Sequence, residues 1–187
     1  MSWRIERSVE IPIVWQMVEK TRQKRILEVG NVLSHYFTVR HDVVDKYEKA
    51  DGVLNCDIMS FRPEQPYDLI VSISTLEHVG YDEEIEDPTK CVRAVEQMKS
   101  CLAPGGTLAI TAPLGYNKNL DRLLREGAIP FTSQALLKRI SRRNDWVEAN
   151  WEDVKDARQD YPYLWANAVF VGIYRKPSVG DGRCGTT

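Results

Sequence analysis

The sequence predicts an α/β domain, a mostly parallel sheet with helices on both faces. Three observations predict it. Short apolar runs alternate with amphipathic segments along the chain. The run Tyr67-Asp68-Leu69-Ile70-Val71-Ser72-Ile73 is apolar on both faces, as a central parallel strand is. The earlier strand candidates end in glycine or an acid, and open α/β sheets bind ligands at such strand ends.

The elements follow in order. Residues 8–20 place Ile11, Val14, Trp15 and Val18 at helical spacing, with Pro12 fitting only in the first turn. Residues 25–30 read as a strand closed by Gly30, and 31–40 as a turn into a helix. Residues 41–45, 53–57 and 67–73 are the second, third and fourth strands. Asp87 can cap a long helix that opens on Pro88 and buries Val92, Val95, Met98 and Leu102. Pro104-Gly105-Gly106 stops that helix, and 107–111 is the fifth strand. Thr132 or Ser133 can cap a helix carrying Leu136, Leu137 and Ile140. Residues 146–151 and 168–174 are two final strands, which no helical pattern joins; that permits an antiparallel closing pair at one end of the sheet. Residues 1–177 are read as one domain, with 1–24 a helical segment packed on the core, and 178–187 as a flexible tail.

Composition narrows the function. The chain has 187 residues, 25 Lys+Arg against 27 Asp+Glu, and a net charge of −2. That balance speaks against a nucleic-acid partner, and Lys138-Arg139 with Arg142-Arg143 reads as a solvated helix end. No apolar run reaches the roughly 18 residues that a membrane span needs, and no secretory signal opens the chain. The cysteines Cys56, Cys91, Cys101 and Cys184 have no C-x-x-C spacing, so a zinc site is not indicated and a reducing cytoplasm is.

Glu28 and Gly30, Asp45 and Asp57 mark the ends of the first three strands. A glycine lets the backbone turn and approach a ligand. An acid ending the second strand can accept both hydroxyls of a ribose, and one after the third can accept an exocyclic amine. The ordered set describes an adenosine-shaped site.

The stretches ILEVG (26–30), VVD (43–45), NCDI (55–58), YDLIVSISTLEHV (67–79) and LAPGGTLAIT (102–111) resemble the class I S-adenosylmethionine-dependent methyltransferases. The resemblance covers roughly residues 25–112 well and the C-terminal strands more loosely. It implies a Rossmann-like, seven-stranded, mostly parallel sheet with an antiparallel last strand. It also implies S-adenosylmethionine as cofactor and a small-molecule acceptor. The segment PLGYN (113–117) is similar to small bacterial methyltransferase-domain proteins associated with sugar or cell-surface biosynthesis. One departure stands out. The family's acid-x-G-x-G-x-G loop is reduced to Gly30 followed by Asn31-Val32-Leu33-Ser34-His35. That loss harms a pyrophosphate site more than a sulfonium site, which counts against a dinucleotide oxidoreductase.

By motif position the resemblance implies that Glu28 and Gly30 line the methionine end, with Asn31 and Ser34 supplying hydrogen bonds. Asp45 would take the ribose, and Asp57 with Ile58 would flank the adenine. Ser74, Thr75 and Leu76 would face the cofactor across the crevice. His78 is the candidate general base, its pKa near 6.5 suiting the task. A cation-binding E-x-x-E-H version of this segment would need an acid where Ser74 stands, so no metal is expected. Asp82, Glu83, Glu84, Glu86 and Asp87 read as a solvated loop, or as a lip attracting a cationic acceptor. Tyr116, Asn117 and Asp121, and Tyr161, Tyr163 and Trp165, stand where this fold places acceptor contacts. The alternative reading is a non-catalytic, methyltransferase-like scaffold with a degenerate glycine loop.

Overall fold

The computed structural model describes residues 5–178. The tail expected over 178–187 lies, Ser178 apart, outside the described residues. Helix α1 (Arg7–Thr21) precedes β1 (Ile26–Val29), β2 (Asp42–Asp45), β3 (Val53–Asn55) and β4 (Tyr67–Ile73). Helix α2 (Lys90–Ser100), β5 (Leu102–Pro113) and α3 (Lys118–Arg125) follow. Strands β6 (Ser133–Arg139) and β7 (Trp146–Ala149), the short α4 (Trp151–Val154) and β8 (Ala168–Arg175) complete the chain.

The sheet order is β3-β2-β1-β4-β5-β8-β6-β7. β1 to β5 are parallel, and β8 runs antiparallel between β5 and β6. The reversal of strand order beside β1 opens a crevice between β1 and β4, the place where such sheets bind ligands. α1 covers one face with Val14 and Val18, joined by Leu33 from the turn after β1, against Leu69, Val71 and Ile73. α2, α3 and α4 cover the other, around Ile70, Met98, Leu108 and Phe170. Among the described residues no helix is long and apolar enough to cross a membrane.

Several expectations are corrected. The sheet has eight strands, because residues 133–139 form β6 where a helix was predicted. Leu136, Leu137 and Ile140 fit helical spacing, yet only Leu136 is buried and Ile140 is 51% exposed. Thr132 caps nothing; its N–H donates to Ile173 O and its hydroxyl accepts from Arg175, drawing the segment onto β8. The helix predicted over 31–40 shrinks to one 3₁₀ turn, Leu33–His35. α2 begins at Lys90, after Asp87 has taken the N–H and hydroxyl of Thr89. Pro12 lies inside α1, beyond its first turn and facing solvent. The residues after Pro113, where no element was predicted, carry α3.

Candidate functional site

The C-terminal ends of β1, β2 and β4 border a cavity of about 540 Å³. Val29, Val44, Ile58 and Val79 form apolar walls, and Asn31, Asp45, Asp57, Ser74 and His78 supply polar groups. Gly30 makes the floor. Its φ is +87°, and a Cβ there would stand 2.1 Å from Thr75 Oγ1. Only glycine allows both that backbone conformation and that approach.

Glu28 lies behind this floor, fully buried, and does not line the cavity, which corrects the expectation that it meets a ligand. Its Oε1 accepts the amides of Val32 at 2.9 Å and Leu33 at 2.7 Å. Its Oε2 meets His41 Nε2 at 2.9 Å. A carboxylate that collects two consecutive amides fixes a turn without glycine, which is how this loop keeps its shape after losing the usual glycines. Ser34 is exposed and off the cavity; its hydroxyl donates to Asn31 Oδ1 at 2.5 Å.

Asp45 accepts three amides: Asn31 at 3.1 Å, Tyr47 at 2.8 Å and Glu48 at 2.8 Å. Its Oδ2 takes only Asn31, leaving a lone pair for a ligand. Asp57 is more heavily used. Its Oδ1 accepts Met59 N, and its Oδ2 faces Lys90 Nζ at 2.9 Å and Lys46 Nζ at 3.4 Å. Both lysines also hold Glu83, at 3.0 Å from Lys46 and 2.7 Å from Lys90. Burial pushes Asp57 and Glu83 up, but hydrogen bonds from the lysines outweigh it and hold both below their ordinary values. Glu83 is therefore no part of a merely solvated loop; it bridges to β2 through Lys46.

His78 lies on the opposite rim with its side chain 47% exposed. Its Nδ1 bonds Asp82 Oδ2, and its Nε2 is 3.6 Å from Glu77 Oε1. Tyr116 donates to Asp82 Oδ2 at 2.7 Å and sets its ring edge-on to the imidazole at 5.0 Å. Burial, then the Asp82 carboxylate, pushes the Tyr116 phenol up to about 12.

The other nominated residues scatter. Leu76 is buried in the core against α2 and does not line the cavity. Asn117 is 3% exposed and caps α3, accepting from Asn119 and Leu120 while donating to Glu77 O. Asp121 accepts Gly115 N at 2.8 Å, and burial pushes its carboxyl up to about 6. Tyr163 and Trp165 line a separate cavity of about 430 Å³ with Arg139 and Arg142, and Tyr161 is 68% exposed. Sequence reasoning missed His41, Lys46 and Lys90 as partners of the site, and named Asp82 only within the acidic loop or lip, not as the partner of His78. Only Lys46, adjacent to Asp45, and Asp82, one turn after His78, carried a local signal.

No protein-family model matches the chain, and no curated protein matches it in sequence. Solved structures do. The N-methyltransferase NodS from Bradyrhizobium japonicum WM9, in complex with S-adenosylhomocysteine, superposes with a TM-score of 0.52 at 15% identity, over 90% of this chain and 88% of that one. A 1,6-didemethyltoxoflavin-N1-methyltransferase from Burkholderia thailandensis, with its acceptor and S-adenosylhomocysteine bound, gives 0.53 at 14%, over 91% and 79%. A SAM-dependent methyltransferase from Archaeoglobus fulgidus gives 0.53 at 12%, over 94% and 96%. The chain thus has the Rossmann-like fold of S-adenosylmethionine-dependent methyltransferases.

Proposed function

We propose that the chain is an S-adenosylmethionine-dependent methyltransferase for a small-molecule acceptor, of the sugar or cell-surface-precursor kind. One observation carries this reading: the cavity at the strand reversal joins a glycine floor, a ribose-type acid with a lone pair to spare, and apolar walls. These residues fit an adenosine-bearing cofactor. Asp45 would take the ribose, Val44, Ile58 and Val79 would enclose the base, and Asn31 with the Gly30 backbone would face the methionine end. Thr75 and Ser74 would stand opposite. Asp57 fits less directly, because an exocyclic amine must share its Oδ2 with Lys46 and Lys90.

When bound, the cofactor supplies an electrophilic methyl group on a sulfonium. Alignment does most of the work, since no new anion needs stabilising. His78 receives the proton that the acceptor releases. Asp82 holds Nδ1, which turns Nε2 toward duty as the base, an aid typically of about 10²–10⁴-fold for a hydroxyl acceptor.

Isothermal titration with S-adenosylhomocysteine tests the reading. Micromolar binding is expected, weakened about tenfold or more in Asp45→Ala by loss of a charged hydrogen-bond partner. Silence up to millimolar ligand would sink it and leave the scaffold alternative.

A further inference from the structure

Behind Ser74 and His78 the chain buries three carboxyls: Glu6, Glu10 and Glu77, at 8%, 0% and 1% exposure. Arg7 answers Glu10 at 3.0 Å. Ser74 Oγ donates to Glu10 Oε1 at 2.6 Å, and Ala166 N donates to Glu6 Oε2 at 3.4 Å. Among the described residues Glu77 Oε2 has no hydrogen-bond partner. The Thr111 hydroxyl, also fully buried, lies beside Glu10 without completing a hydrogen bond to it. Burying a carboxylate without a partner costs several kcal/mol, so natural chains rarely leave one so. Here burial pushes Glu10 up and Glu77 well up; Glu6 raises both and Glu10 raises Glu77, while Arg7 lowers both without reversing the shift.

Among the described residues Arg7 supplies positive charge to Glu10 and Glu77 but does not reach Glu77 Oε2, and the place points to where a further cation would come from. Ser74 and His78 both line the cavity, and they are the residues in contact with Glu10 and with Glu77. The half-exposed imidazole lines the cavity and lies 3.6 Å from Glu77 Oε1, so it stands next to both. The carboxyls are not disposed as a metal-ligand set, for no group of three or more His, Cys, Asp and Glu among the described residues could hold a metal ion. We infer that Glu77 and Glu10 form the seat for an ammonium group of the ligand, so that the acceptor is an amine. Naming that ligand the acceptor rests on the methyltransferase reading; the seat itself does not. An ammonium brings donors and charge together to the unpartnered oxygen, whereas a neutral hydroxyl brings only a donor.

The test uses matched probes on the full chain: propylammonium against propanol, and benzylammonium against benzyl alcohol, by saturation-transfer NMR at millimolar concentration. The ammonium of each pair is expected to bind about tenfold tighter than the alcohol, the value of one charge-assisted hydrogen bond. Glu77→Gln and Glu10→Gln should bring the pair toward parity. Equal binding by the unaltered protein, or no ammonium binding, would overturn the inference whatever the variants do. A full ammonium preference in both variants would overturn it too. Titration of S-adenosylhomocysteine into the same samples keeps the two readings apart. Ammonium preference without cofactor binding removes the methyltransferase and keeps the seat; the reverse removes the seat alone.

Discussion

The two sides of the crevice treat their acids in opposite ways. On the β1–β3 side Glu28, Asp45 and Asp57 are each supplied with several donors, largely backbone amides and lysines. Across the strand reversal, Glu77 keeps an empty oxygen and Glu10 shares one arginine with its surroundings. The first side is organised in advance, with rigid geometry set by short-range hydrogen bonds. The second stores unsatisfied charge. In a site with two ligands, the half built for an invariant one can be finished by the protein, and the other half is completed by what arrives.

The contrast can be broken most sharply at Glu28. Glu28→Ala orphans two amides and His41 in the core, and should cost about 3–5 kcal/mol. Urea denaturation would show it; a loss under about 1 kcal/mol would mean that the loop does not depend on this carboxylate. Next is Gly30→Ala, expected to cost about 2–3 kcal/mol through its left-handed backbone and the collision with Thr75. Adding Thr75→Ala should return the part due to Oγ1 and Cγ2, at 2.1 and 2.8 Å, and leave about 1 kcal/mol of backbone strain together with the 2.9 Å contact to the Cβ of residue 75. Failure of that rescue would place the conflict elsewhere.

The stored charge should show in the pH dependence. Glu10 and Glu77 have folded-state pKa values raised above 4.5, so the folded chain binds their protons more tightly than the unfolded chain does. Stability therefore rises as pH falls from neutral toward that value. Asp121 adds to the same trend between about 6 and 3.8, for up to about 3 kcal/mol. Asp57, Asp82 and Glu83 are held low, so they withdraw stability only as pH drops below the ordinary carboxyl range. Denaturation at a series of pH values should give a flatter profile in Glu77→Gln. The smallest effect is expected at Lys46→Met, under about 1 kcal/mol, since that side chain is 34% exposed and Lys90 keeps both acids paired.

The sequence made the β1–β3 side of the crevice legible because its signals are local. Gly30, Asp45 and Asp57 end strands whose apolar runs are themselves visible, and all three line the cavity. Thr75 and His78 follow the fourth strand by simple succession. Glu28 was found by its motif position but not its role, since what it binds is set by a turn that replaced the predicted helix. The 133–139 segment misled because two adjacent leucines satisfy either period, and only pairing with β8 decides between them. Glu10 was hidden on a helix where a polar residue reads as solvent-facing. Its burial depends on Ser74, 64 positions away, and no local pattern reports such a contact. Asn117 looked like an acceptor contact because its role as a helix cap needs α3, which the sequence reading treated as loop.

Trp15 of α1 lies flat on Phe37, with ring centroids 3.8 Å apart and planes 9° from parallel. Phe37 belongs to the same loop whose amides Glu28 gathers, and that loop carries Asn31 and Val32 into the cavity. An indole's emission responds to what stacks on it. Any rearrangement of the crevice floor is thus transmitted to a chromophore on the opposite face of the sheet from α2. The chain carries five tryptophans, so a Trp15→Phe difference spectrum isolates the signal. Occupation of the crevice can then be followed in real time by light alone, with no label attached and no acceptor known.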